Sequence, residues 1–143
     1  MASVDDVAAY ILKRRGPMDT WKLQKLVYYS QAWHLVWESK PLFRDPIEAW
    51  ANGPVVPNLY QKHKGQYQLA SWAEGDPDAL AEDEISTIDA VLDFYGDKTG
   101  HWLSALTHRE APWRDAREGM DPGERGNERI TKEAMASYYS SLV

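Results

Sequence analysis

The sequence predicts a mostly α-helical fold: a compact single-domain bundle of six or seven helices over residues 1–143, with one short β-hairpin near residues 42–51. Apolar residues recur three and four positions apart through most of the chain, which is the spacing of one helix face. Capping residues and Gly or Pro stop signals bracket these segments. The period-two alternation that is typical of strands is confined to one short stretch. A chain of 143 residues suits one domain with its own core.

Two helices are predicted in the first third of the chain. Ser3 is a suitable N-cap for the first, and Gly16 and Pro17 end it. The second is predicted over residues 20–38, before the stop signal at Lys40-Pro41. Because this second segment is apolar around most of its circumference, we expect it to be the central, buried helix.

The strand signal follows this helix. Ile47 and Ala49 alternate with Glu48 and Trp50, which is typical of a half-buried strand. We therefore predict a hairpin in which Leu42-Phe43 forms the first strand and Arg44-Asp45-Pro46 the turn.

The same start and stop signals predict the remaining helices. A short helix is expected over residues 57–64 and a long one over residues 82–95. Further helices are expected after Thr99, from Pro112 and after Thr131, since Ser, Thr and Pro favour helix N-termini.

The most distinctive motif is Asn52-Gly53-Pro54-Val55-Val56-Pro57. Its two prolines fix φ at about −65° and remove two backbone donors. We interpret it as a rigid turn that starts the next helix and, compatibly, as a preformed apolar ridge for a partner, because rigid surface loses little entropy on binding. Val55 is taken as an exposed member of this ridge. The residues predicted to contact a partner are Trp50, Asn52, Gly53, Pro54, Val55, Val56, Pro57 and Tyr60.

Composition and charge narrow the classes of function. The absence of cysteine excludes disulfides and thiolate chemistry. A net charge of −6 argues against nucleic acid as a direct partner, since phosphate binding needs a basic face. No apolar run approaches the length that spans a membrane, and no segment resembles a secretory signal, so we expect a cytoplasmic protein. Seven Trp and eight Tyr suit interfaces that are partly apolar and partly wet.

The residue types that commonly perform catalysis or bind metals are not spaced for either role in this sequence. The four histidines are scattered without metal-site spacing, so no metal and no cofactor is predicted. The acidic run at residues 76–84 fails the calcium-loop pattern, because Ala81 stands where that loop needs glycine. We therefore predict that the protein is not an enzyme. An unfamiliar active site around His34, His101 and His108 is the alternative.

Two groups of motifs occur in an order that is specific to one known family. The first comprises Leu23-Gln24-Lys25-Leu26-Val27-Tyr28-Tyr29-Ser30-Gln31-Ala32-Trp33-His34, Pro41-Leu42-Phe43, Ile47-Glu48-Ala49-Trp50, Gly53-Pro54-Val55-Val56-Pro57 and Leu59-Tyr60. The second comprises Tyr95-Gly96, Leu103-Ser104, Leu106-Thr107-His108, Glu110-Ala111-Pro112-Trp113 and Ala116. Over nearly the whole chain, these motifs resemble the Panacea domain family, which is also called the SocA-like antitoxin domain or the phage-associated GepA-like family.

The resemblance implies a mostly helical domain that serves as the antitoxin of a two-gene toxin–antitoxin pair. Its partner is then a cognate toxin protein encoded by the adjacent gene, neutralised by direct protein–protein binding. An acidic chain that is rich in Trp and Tyr and has no catalytic grouping favours such a binding module. Two alternatives stay open: a proteolytic adaptor that delivers the toxin to a protease, and a phage-encoded inhibitor of a host protein.

Overall fold

A computed structural model describes residues 1–143 and confirms the mostly helical fold. Its seven helices are Val4–Arg15 (α1), Thr20–Glu38 (α2), Pro57–His63 (α3), Glu82–Tyr95 (α4), Gly100–Arg109 (α5), Ala111–Ala116 (α6) and Lys132–Ser140 (α7). Its five short strands are Met18–Asp19 (β1), Ile47–Trp50 (β2), Gly53–Val55 (β3), Gln68–Leu69 (β4) and Arg129–Ile130 (β5).

The central position of α2 is confirmed. Every residue from Leu23 to His34 is buried, and α2 packs against α1, α4, α5, α7 and β3. A helix that is apolar around its circumference can bury all of its faces only when other elements surround it. No helix in the structure combines the length and the apolar content that crossing a bilayer requires.

Two buried glutamines of α2 form hydrogen bonds with backbone segments that lie outside any helix or strand. Gln31 Oε1 accepts a hydrogen bond from the Leu42 N–H at 2.6 Å, and Gln31 Nε2 donates to the Phe43 carbonyl at 2.8 Å. Gln24 Oε1 accepts a hydrogen bond from the Val56 N–H at 2.9 Å. Each bond satisfies a backbone group that would otherwise be unpaired in the core. The helix is therefore also the scaffold for the segments on both sides of the hairpin.

The strands β3, β2 and β5 form a small antiparallel sheet in that order. Trp50 lies opposite Gly53, and Ile47 lies opposite Ile130. Because β3 is an edge strand, Pro54 fits into it without breaking an interior ladder of hydrogen bonds. The other two strands, β1 and β4, pair separately.

The predicted hairpin exists, but its predicted turn is wrong. The turn is Ala51-Asn52, between β2 and β3, and not Arg44-Asp45-Pro46. Leu42 and Phe43 form no strand, because the side chain of Gln31 bonds their backbone groups. The Gly-Pro motif therefore supplies the second strand of the hairpin before it leads into α3.

The other helix boundaries agree closely with the predicted ones. Ser3, Thr99 and Thr131 are N-caps, and the side-chain oxygen of each accepts a hydrogen bond from the backbone N–H three residues later. These bonds satisfy donors that a helix leaves unpaired at its first turn.

Replacing the N-cap of α7 is expected to weaken the protein modestly. Thr131→Ala removes the 3.0 Å bond from the Ala134 N–H and should lower the free energy of unfolding by about 1 kcal/mol. Urea denaturation measures the change. Ser137→Ala, at an exposed position within α7, is the control and should change stability by less than about 0.5 kcal/mol. Equal effects of the two substitutions would contradict the capping role.

Candidate protein-binding surfaces

The distinctive motif is largely internal. Gly53, Pro54, Val55 and Val56 are buried, and both valines are 0% exposed. The prediction that Val55 is an exposed ridge residue is therefore wrong. Strand β3 packs against α2 and α5, and Gln24 fixes the backbone of Val56. The apolar character of the valines serves the interior, and a charge at Val55 would test folding and not an interface.

Four of the eight predicted contact residues reach solvent. Asn52 is exposed, whereas Trp50, Pro57 and Tyr60 are half-buried. The rings of Trp50 and Tyr60 meet edge to face with their centroids 4.9 Å apart. All four line a groove of about 670 Å³ that also includes Arg125. We call this groove, which mixes polar and aromatic side chains, the hairpin groove, and its contact with a partner stays a prediction.

A buried lysine lies directly behind the hairpin. Lys25 is 0% exposed, and its Nζ makes no hydrogen bond, although it lies 5.2 Å from the centroid of the Trp21 ring. Burial lowers the pKa of Lys25 to about 7, and the charge of Asp19 opposes that shift only in part. A Cβ atom on Gly53 would lie 2.5 Å from Lys25 Cε. The hairpin therefore closes over a buried amino group that has no hydrogen-bond partner.

Glu110 joins the Glu110-Ala111-Pro112-Trp113 motif to the core. The residue lies between α5 and α6 and is 6% exposed. Its Oε1 accepts hydrogen bonds from the hydroxyls of Tyr29 and Tyr139, each at 2.7 Å. Burial raises the pKa of Glu110, while the two tyrosine bonds act in the opposite direction. Trp113 of the same motif is buried and belongs to the core. The carboxylate thus ties α2 and α7 to the junction of α5 and α6.

A second groove, which we call the apolar groove, lies between α2, α4, α5 and the residues after α7. It has a volume of about 600 Å³, and 10 of its 11 lining residues are hydrophobic. Phe94 is 69% exposed, Trp37 46% and Trp102 40%. Contiguous exposed apolar surface of this kind marks interaction sites on proteins. The lining residues are Trp33, Trp37, Ala90, Val91, Phe94, Tyr95, Trp102, Leu106, Glu110, Leu142 and Val143.

The apolar groove was not predicted from the sequence. Trp37 lies four residues after Trp33, a spacing that predicts the same buried face of α2, and no motif indicates a binding role for Phe94 or Trp102. One signal was present, because Phe94 is the only large apolar residue of α4 outside that helix's core-facing stripe. The stripe consists of Ile85, Ile88, Val91, Leu92 and Tyr95.

The three histidines of the alternative active site have separate surroundings. His34 Nδ1 lies 2.8 Å from Thr87 Oγ1, the ring of His108 stacks on Trp113 at 3.9 Å, and His101 is exposed. Burial lowers the pKa of both His34 and His108. No three His, Cys, Asp or Glu side chains are grouped so that they could hold a metal ion.

Comparison with known families gives one match. A family model described as antitoxin SocA-like, Panacea domain, matches residues 23–114, which is more than half of the chain. The matched range contains most of α2, the hairpin, α3, α4 and α5. No curated protein and no solved structure matches the chain.

Proposed function

Because the chain belongs to the Panacea domain family of SocA-like antitoxins, as its motifs predicted, we propose that it neutralises a cognate protein toxin by binding it directly. In this proposal the toxin is the product of an adjacent gene, and the complex forms in the cytoplasm. The antitoxin acts as a binding module, without catalysis and without a cofactor.

The apolar groove is the observation that supports direct binding. Three large aromatic side chains around one depression remain exposed, although the core of the chain buries most of its other aromatic residues. Aromatic residues contribute most of the binding energy in protein interfaces when a partner excludes water from them. The net charge of −6 further favours a toxin with a basic surface, because complementary charge speeds association.

Co-expression with the product of the adjacent gene tests the proposal. We expect the second protein to arrest growth alone, growth to return when both are present, and the two to co-purify at a fixed stoichiometry. Rescue without a complex, together with a protease-dependent fall in toxin level, would contradict direct neutralisation in favour of the adaptor. The absence of both toxicity and a complex would contradict the antitoxin assignment of this partner.

Removing one aromatic ring from the apolar groove is expected to weaken the complex. Phe94→Ala should reduce affinity about thirtyfold, because an interface anchor contributes roughly 2 kcal/mol. Isothermal titration calorimetry measures the affinity, and the free energy of unfolding should stay within about 0.5 kcal/mol of the original. Tyr67→Ala is the matched control, since Tyr67 is also 69% exposed but lies outside the apolar groove.

The same titration separates the two candidate surfaces. Asn52→Arg places a large cation at the exposed tip of the hairpin, where the motif prediction locates the partner. If Asn52→Arg abolishes binding while Phe94→Ala leaves it unchanged, the interface lies at the hairpin groove and the apolar groove is not the contact surface.

A further inference from the structure

The apolar groove contains one lining residue that is not hydrophobic, and it is Glu110. Oε1 of this carboxylate holds two tyrosine hydroxyls, whereas Oε2 makes no hydrogen bond in the structure. Neither tyrosine lines the groove, so the hydroxyls approach the carboxylate from the core. The floor of an otherwise apolar depression therefore carries an acceptor that is bonded on its inner side only.

The carboxylate of Glu110 is largely shielded from water, and its unbonded Oε2 is the part of it that still reaches solvent. Burial of an ionised group away from water is unfavourable, and two neutral donors compensate for only part of that free energy. The same shielding from water strengthens attraction to a cation that enters the groove. The two tyrosine bonds explain the position of Oε1, and they leave Oε2 able to accept from a group that enters the groove.

The walls of the apolar groove suit a flat cation. The rings of Trp33 and Trp37 stack with centroids 5.1 Å apart and present indole surface beside Tyr95. At the edge, Lys98 Nζ already lies 4.8 Å from the centroid of the Trp102 ring, so one wall attracts a cation of this chain. Guanidinium groups stack on aromatic faces and lose their hydration more easily than ammonium groups do.

The charge inside the apolar groove is complementary to a cation. No basic residue lines the groove, and Lys98 lies at its edge, over the ring of Trp102. Glu110 is the one charged residue of the lining, so the field inside the groove favours a positive group.

We infer that the apolar groove binds an arginine side chain of the partner toxin, with its guanidinium between the aromatic walls and paired to Glu110. The toxin as the source of the arginine rests on the proposed function. The recognition itself is a property of the groove. Glu110 is a specificity residue, because an apolar side chain of equal length would leave its carboxylate unpaired.

Titration with small probes tests this recognition without the toxin. N-acetyl-L-arginine amide and N-acetyl-L-norleucine amide are added separately to the purified full chain, and the indole N–H resonances of Trp37 and Trp102 are followed by nitrogen-edited NMR. We expect saturable shifts with the arginine probe and about tenfold weaker binding of the norleucine probe, as one charge-assisted hydrogen bond implies. Equal affinities for the two probes would overturn the inference.

Two variants separate the charge of Glu110 from its structural bonds. Glu110→Gln keeps an oxygen for Tyr29 and Tyr139 but removes the charge, and it should weaken arginine binding about tenfold. Tyr29→Phe removes one hydroxyl and keeps the carboxylate of Glu110. The affinity of this variant for the arginine probe should therefore stay within about twofold of that of the original protein. Unchanged binding of the arginine probe by Glu110→Gln would overturn the inference. The inference would also be overturned if a second copy of the chain filled the groove by self-association.

The test of the arginine inference and the test of the proposed function can fail independently of each other. If toxin rescue and the complex are intact but the arginine probe does not bind, the arginine inference fails and the antitoxin proposal stands. If the arginine probe binds as expected but no toxin complex forms, the groove recognises the side chain and the proposed partner is wrong.

Discussion

Lys25→Met is expected to stabilise the protein by about 2–4 kcal/mol at about pH 6, since a well-packed apolar residue often replaces a buried charge favourably. Lys25 has no exposed surface and no hydrogen-bond partner, and Met has a similar length and flexibility. The substitution keeps most of the volume beside Gly53 while it removes the unpaired ammonium.

The stability gained by Lys25→Met should depend on pH, and the lowered pKa of Lys25 determines the direction of that dependence. Burial lowers the pKa of Lys25 to about 7, against 10.5 for an ordinary lysine. Between these values the unfolded chain binds more protons than the folded one, so the stability contributed at this site rises with pH. The loss of folding stability caused by burying Lys25 is therefore greatest below about pH 7. It is about 5 kcal/mol at most, because each pKa unit corresponds to 1.36 kcal/mol. The advantage of Lys25→Met should shrink steadily as pH approaches about 10.

Chemical denaturation of both proteins at several pH values measures this difference. Burial also raises the pKa of Tyr28 and Tyr29, which destabilises the folded state at high pH, but it does so in both proteins and cancels in the comparison. Lys64→Met, at an exposed position, is the control and should show no such dependence. A destabilised Lys25→Met protein, or a gain that is constant with pH, would show that Lys25 has a structural partner.

Local signals were sufficient for the helices and insufficient for the hairpin. The bounds of α2 follow from neighbouring residues, such as the stop signal at Lys40-Pro41, and the structure places them as predicted. The hairpin turn depends instead on Gln31, whose side chain takes Leu42 and Phe43 out of strand pairing from 11 and 12 residues away. Asn52-Gly53 is a local signal for the true turn, but nothing within residues 42–55 shows that Gln31 holds Leu42 and Phe43.

Binding surfaces were harder to predict than the fold for a related reason. Val55 and Val56 resemble an exposed ridge when only their neighbours are considered, whereas their burial depends on α2 and α5. Trp37 resembles a core residue because it continues the buried face of α2, yet no element covers the end of that helix fully. Exposure is a tertiary property, and of the groove residues only Phe94 gave a local sign of it.

Gly53→Ala is expected to destabilise the protein by about 2–5 kcal/mol, from two independent causes. The φ of Gly53 is 121°, a conformation that residues with a Cβ rarely adopt. The added Cβ would also lie 2.5 Å from Lys25 Cε and 3.2 Å from Thr107 Oγ1. Because Lys25 is fully buried, its side chain has little freedom to move away.

Gly65→Ala separates the two causes. Gly65 also has a positive φ, of 86°, but a Cβ there meets no atom within 4 Å, so this substitution should cost only about 1–2 kcal/mol of backbone strain. The part of the excess cost of Gly53→Ala that comes from contact with Lys25 should disappear, a fall of about 1–3 kcal/mol, when both proteins carry Lys25→Ala. Equal costs at Gly53 and Gly65, with no coupling to Lys25, would mean that backbone conformation alone requires glycine in the motif. The expected coupling would instead make Gly53 the residue that lets the hairpin close over the buried lysine.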